Sequence, residues 1–132
     1  MDLTVVLDTN AYSDWRRTGY WHDWLAKADR VLVPAVVVGE LIHGFRKGRE
    51  FPTNTASLEA FLGEPQVEVL PVGRRTAEIY GEFVLHLQNQ GTPIPTNDIW
   101  IAAGVHEVHG LLLTRDGHFV HLPQVRVAEE TR

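Results

Sequence analysis

Leu3-Thr4-Val5-Val6-Leu7-Asp8-Thr9-Asn10 decides the fold. The run from Leu3 to Leu7 is apolar or β-branched throughout and stops abruptly at an acid. A strand with one wet face alternates apolar and polar side chains, whereas a strand covered on both faces reads as a continuous run. The stretch is therefore expected as a central strand of a parallel sheet. Asp8-Thr9-Asn10 then opens a turn or helix whose apolar contacts are Ala11, Tyr12 and Trp15.

Outward from this strand, the same signal recurs. Val31-Leu32-Val33, closed by Pro34, and Leu111-Leu112-Leu113 are short buried strands. Val67 to Val72 is another, weakened in its second half by Pro71, and Val125-Arg126-Val127 forms a last one. Between them lie helical patterns. Trp21 to Ala28 is a short helix. Ala35 to Phe45 is read as helix because Val37, Leu41, Ile42 and Phe45 fall at helical spacing before Gly44 and Gly48, against the strand preference of Val36-Val37-Val38. Phe51 to Thr55 is expected as a loop, followed by a helical piece over Ser57 to Leu62 that ends at Gly63 and Pro65. Arg74 to Gln90 is the longest helix, with Ala77, Tyr80, Val84 and Leu87 on its expected apolar face. Short apolar strands alternating with helices define an α/β fold with a mostly parallel central sheet flanked by helices in three layers.

Thr96-Asn97-Asp98-Ile99-Trp100-Ile101-Ala102-Ala103 opens a further helix, expected to run to about His109 and stop at Gly110. Thr96 and Asn97 are residue types that cap helices, and Pro93 and Pro95 hold the approach extended. Asp98 thus stands in the first turn of a largely buried helix. A carboxylate there complements the helix dipole, and that role alone accounts for it unless other acids converge on it.

In parallel α/β folds the ligand crevice lies beyond the carboxyl ends of the strands. Asp8 follows the first strand directly, and Asp116 follows Leu111–Leu113 closely. Glu40 sits within the apolar VVVGELI segment, where an unpaired carboxylate is costly; either a cation such as Arg46 or a metal ion offsets that cost. Asp8 also suits an N-cap, and Asp116-Gly117 is a common turn pair. Convergent carboxylates repel one another, and a hard divalent cation such as Mg²⁺ or Mn²⁺ relieves the repulsion through oxygen ligands. One or two such ions activate water for attack on a phosphodiester. Thr9, Asn10 and Thr114 place neutral polar groups beside these acids, where they either cap turns or hold water and phosphate.

LDTN at 7–10, VVGELIHG at 37–44, TNDIWIAA at 96–103 and LTRDGHF at 113–119 resemble, in order and across nearly the whole chain, the successive motifs of the PIN-domain family. More narrowly, they resemble VapC-type toxins of bacterial and archaeal toxin–antitoxin pairs. The resemblance implies a PIN-like fold over residues 1–132 as a single domain. It also implies a metal-dependent endoribonuclease that hydrolyses RNA through a metal-activated water, leaving 5′-phosphate and 3′-hydroxyl ends. Its implied partners are a cognate antitoxin and a second copy in a homodimer. Asp8, Glu40 and Asp98 match the family's acidic triad, Asp116 its fourth acidic position and Thr114 the hydroxyl just before it. Arg49 to Glu64 matches no motif.

Composition narrows the alternatives. With 132 residues, 44% hydrophobic and 22% charged, the chain suits one globular domain. A net charge of −5 argues against binding nucleic acid by bulk electrostatics. Arg115, with Arg16 or Arg17, stands near acidic motifs and suits local phosphate contacts at a crevice rim. There is no cysteine, hence no disulfide or thiolate metal site. The N-terminus lacks a signal-peptide pattern and no apolar run suffices for a membrane span, so a cytoplasmic protein is expected.

Seven histidines invite a zinc reading. However, His106-Glu107-Val108-His109 lacks metalloprotease spacing, and His118 and His121 read as solvated loop residues. His43 falls one turn after Glu40. Of the tryptophans, Trp15, Trp21 and Trp24 suit base stacking, and Trp100 suits the core. A phosphoacceptor signalling domain needs an acidic pair after its first strand and a lysine near its last. Here Asp8 precedes Thr9, and no lysine follows Lys47. A non-catalytic PIN-like module that binds RNA or protein is the other alternative; loss of acidic ligands would mark it, and this chain has all four.

Overall fold

The computed structural model describes residues 2–128. Five strands form one sheet in the order β3-β2-β1-β4-β5, every pairing parallel. They are β1 (Thr4–Leu7), β2 (Arg30–Pro34), β3 (Val67–Leu70), β4 (Leu111–Leu113) and β5 (Arg126–Val127). Helices fill the connections and flank the sheet: α1 (Thr9–Thr18), α2 (His22–Lys27), α3 (Ala35–Arg46), α4 (Phe51–Leu62), α5 (Arg74–Gln90) and α6 (Thr96–Glu107). A 3₁₀ turn spans Gly117–His121.

The expected α/β architecture is present, and β1 lies at its centre. Val5, Val6 and Leu7 are fully buried, as are Leu112 and Leu113 beside them, which is why both runs lack polar alternation. The chain builds one side of the sheet from β1 through β2 to β3, then returns across to β4 and β5. The order therefore reverses between β1 and β4, and a crevice opens at the carboxyl ends of those two strands.

Five local expectations are corrected. Phe51–Thr55 is the start of α4, not a loop; Pro52 lies in the first turn, where the missing N–H costs no helical bond. The buried stripe of α5 is Thr76, Ile79, Phe83 and Leu87, while Ala77 is exposed and Tyr80 and Val84 are half-buried. A second helix decides this, because α5 packs along α6 and Tyr80 stacks on Trp100 at 3.9 Å. β3 ends at Leu70, before Pro71. Finally, neither Thr96 nor Asn97 caps α6: Pro95 takes the cap position in an extended conformation without a side-chain bond. At the other end α6 stops at Glu107, two residues early, and His109 adopts a positive φ of 53° that turns the chain into Gly110 and β4.

Candidate functional site

Each acidic side chain reaches the crevice from a different element. Asp8 follows β1 and caps α1, accepting from the Ala11 N–H at 2.8 Å on one oxygen. Its other oxygen accepts from the Thr114 hydroxyl, which follows β4. Both residues are buried, so this pair ties together the ends of the two central strands. The N-cap role foreseen for Asp8 is real, and it also aims the carboxylate into the crevice.

Glu40 projects from the second turn of α3 and is half-buried. Its oxygens accept from the Thr9 hydroxyl at 2.5 Å and from the Asn97 side chain at 3.2 Å. Arg46 is not its partner; the guanidinium lies over the Phe51 ring, 4.7 Å from its centre. Asn97 does not cap α6, which leaves its amide to hold Glu40 instead.

Asp98, in the first turn of α6, meets His118 from the turn after β4. Nδ1 of His118 lies 2.7 Å from Asp98 Oδ2 and 3.0 Å from Asp116 Oδ1. Asp116 caps the 3₁₀ turn by accepting from the His118 backbone N–H at 2.9 Å, and its own N–H donates to Thr114 Oγ1 at 3.0 Å. His118 was expected to be a solvated loop histidine. The Asp116-Gly117-His118 turn instead folds its ring back between two carboxylates. The turn itself was signalled in the sequence, since an aspartate commonly accepts from the N–H two residues on, but the ring's meeting with Asp98 was not.

Asp8, Thr9, Asn10, Glu40, Asp98, Ile101 and Asp116 line one cavity of about 130 Å³. All four predicted acids are therefore together, with Thr9 and Asn10 in the wall and Thr114 behind Asp8. Among the described residues, no lysine or arginine pairs with any of the four. Arg115 pairs with Asp14, not Asp116: it stands 3.7 Å from Asp14 and over the Tyr20 ring, 4.4 Å from its centre. A neighbouring cavity of about 350 Å³, lined by Asn10, Asp14, Arg115 and Asp116, shares two residues with the acidic one.

Burial, more than mutual repulsion, sets the protonation of Asp8 and Asp98. Burial pushes Asp8 up to about 6, aided by Asp116 and Asp98 and opposed by the Thr114 and Ala11 hydrogen bonds. Burial also raises Asp98, against the pull of His118. His118 is raised chiefly by its hydrogen bond to Asp98. This donor set fits a hard divalent cation, since carboxylate oxygens dominate it and no side-chain ammonium or guanidinium competes for them. Asp98, Asp116 and His118 each offer a ligand atom, all within 4.8 Å of one another.

Other candidates lie elsewhere. His43 is exposed and does not line the acidic cavity. His106 and His109 form only an edge-on ring pair, 6.2 Å between centres. Trp15 packs on Phe61 and Tyr12, and Trp100 is half-buried against Tyr80. Among the described residues, no helix is long and apolar enough to cross a membrane.

Comparison with known proteins bears on this geometry. The chain is 27% identical over 119 residues to Ribonuclease VapC2 of Rickettsia felis, covering 86% of this chain and 87% of that one. Its fold resembles that of the DNA-bound VapBC of Salmonella typhimurium (TM-score 0.85, 25% identity, 96% of this chain and 97% of that one). VapBC-1 of nontypeable Haemophilus influenzae shares the fold as well (TM-score 0.86, 22% identity, 96% and 98%). With the PIN domain matching residues 5–125, and four acids gathered at the switch point of an all-parallel sheet, the chain belongs to the PIN-domain family.

Proposed function

We propose that this protein is an endoribonuclease, the toxin of a toxin–antitoxin pair, working in the cytoplasm with Mg²⁺ or Mn²⁺ held by Asp8, Glu40, Asp98 and Asp116. The observation that carries this reading is the acidic cavity itself: four carboxylates from four elements, with no lysine or arginine in its lining. The similar Rickettsia felis protein is named a ribonuclease, and the similar Salmonella and Haemophilus structures are VapBC complexes. A divalent ion held by these four acids would supply Lewis-acid activation of water for attack on a phosphodiester.

The chain's own residues prepare the site. Thr114 and the Ala11 N–H fix Asp8, while Thr9 and Asn97 fix Glu40, so both carboxylates are oriented in advance. Arg115, held between Asp14 and Tyr20 beside the acids, takes the phosphate next to the scissile one. An antitoxin bearing basic side chains suits the same acids and would block them. The homodimer implied by the family is part of this proposal, and light scattering on the eluting protein tests it; a monomer alone would remove it.

The decisive experiment is cleavage of a pool of cellular RNA with Mg²⁺, with Mn²⁺ and with EDTA, beside Asp98→Asn. Discrete fragments that require metal and vanish in the folded variant are expected. Undiminished cleavage by folded Asp98→Asn sinks the site assignment. Metal binding without any cleavage would favour a binding module.

A further inference from the structure

The geometry points to His118 as a member of the metal site, supplying a nitrogen donor that turns the site's preference from Mg²⁺ toward Mn²⁺. This inference rests on the reading of the acidic cavity as a metal-holding site. It concerns a residue that sequence motifs alone leave as a solvated loop histidine.

Three observations carry it. First, the four carboxylates are not equally engaged. Both oxygens of Asp8 and both of Glu40 accept hydrogen bonds from groups fixed in the fold. The carboxylate oxygens of Asp98 and Asp116 have no hydrogen-bond or ion-pair partner beyond residue 118 among the described residues. Of the four carboxylates these two are the least engaged by the rest of the fold, and His118 stands between them.

Second, the spacing fits coordination. His118 Nδ1 is 2.7 Å from Asp98 Oδ2 and 3.0 Å from Asp116 Oδ1. Neighbouring ligand atoms on an octahedron with bonds of about 2.1 Å lie about 3.0 Å apart. Third, the ring is delivered by a built turn, not by a free side chain. The His118 backbone N–H donates to Asp116, and Phe119, the next residue, is buried in the core. The turn thus fixes the backbone of residue 118 beside Asp116 while the ring itself stays half-open to solvent.

An imidazole nitrogen matters for the choice of ion. Mg²⁺ favours an all-oxygen shell and gives up water reluctantly, whereas first-row transition ions accept imidazole readily. Replacing one oxygen position by nitrogen should therefore penalise Mg²⁺ relative to Mn²⁺.

The test is metal binding by the full chain, stripped of metal and titrated with Mn²⁺ by electron paramagnetic resonance, with Mg²⁺ as competitor. Wild type, His118→Gln and Asp98→Asn are compared, with ¹⁵N-histidine in the first two. Wild type should prefer Mn²⁺ by about tenfold or more, and His118→Gln should lose most of that preference with little change for Mg²⁺. Spin-echo modulation from a histidine nitrogen should appear in wild type and vanish in the variant. Because the His118 side chain is nearly half exposed, the variant should fold, and the wild-type nitrogen signal needs no variant at all. An Asp98-dependent Mn²⁺ site with no nitrogen signal and an unchanged affinity in His118→Gln overturns the inference while leaving the proposed function standing. Absence of any Asp98-dependent metal binding removes both.

Discussion

Asp8 shows how one residue is made to serve structure and chemistry against its own preference. It is buried and ionisable, it caps α1, and the Thr114 hydroxyl holds its second oxygen. Its folded value of about 6 exceeds its ordinary value of 3.8, so between those values the folded chain binds the proton more tightly than the unfolded one. The stability this contributes is complete below about pH 3.8 and is lost as pH rises through about 6. Metal-free Asp8→Asn should accordingly be more stable than wild type at pH 8, by up to about 3 kcal/mol, and no more stable at pH 4. Urea unfolding at both pH values measures this. Thr114 permits a second prediction. Thr114→Val keeps the shape but removes the hydroxyl from Asp8, so cleavage should fall by about 10–100-fold, with Thr114→Ser restoring most of it.

At the scale of elements, the helices are set as much by their neighbours as by their own pattern. α5 buries Thr76, Ile79 and Phe83, each one position before Ala77, Tyr80 and Val84 of the expected face, while Leu87 belongs to both. Several apolar residues lie on overlapping stripes of this helix, and packing against α6 chooses among them. Phe83→Ala should cost about 3–5 kcal/mol, whereas Ala77→Ser should stay within about 0.5 kcal/mol. Thermal unfolding of the two variants distinguishes the faces, and the opposite ranking would restore the face built on Ala77. The start of α6 obeys a similar logic. A proline at the cap position leaves Asn97 without a capping duty, and its amide crosses to Glu40 on α3.

For the whole molecule, the site exists because distant segments meet at the reversal of strand order. Asp8, Glu40, Asp98 and Asp116 span more than a hundred positions of the chain, yet they line one small cavity beyond β1 and β4. Crowding four carboxylates there costs stability that a bound cation returns. A metal at about a hundred times its dissociation constant should stabilise the fold by about 2.7 kcal/mol. Melting with Mg²⁺ or Mn²⁺ and after EDTA tests this, and the increment should shrink sharply in Asp98→Asn. An equal increment in both proteins would mean that the cation binds elsewhere.

The sequence by itself determined the parallel sheet, because strands buried on both faces must be apolar throughout, and Leu3–Leu7 and Leu111–Leu113 carry that requirement openly. It also determined which acids were candidates, since a carboxylate at a strand end or inside an apolar helix needs a reason to be there. The start of α4 at Phe51 was not legible, because Pro52 reads as a breaker unless its place in the first turn is known. Nor was the true face of α5. Only the tertiary structure decided that Asn97 and not Arg46 holds Glu40, and that His118 turns back between Asp98 and Asp116. Local patterns report how a segment meets water and core. Pairings between segments are set by where the sheet brings their ends, and no local pattern encodes that.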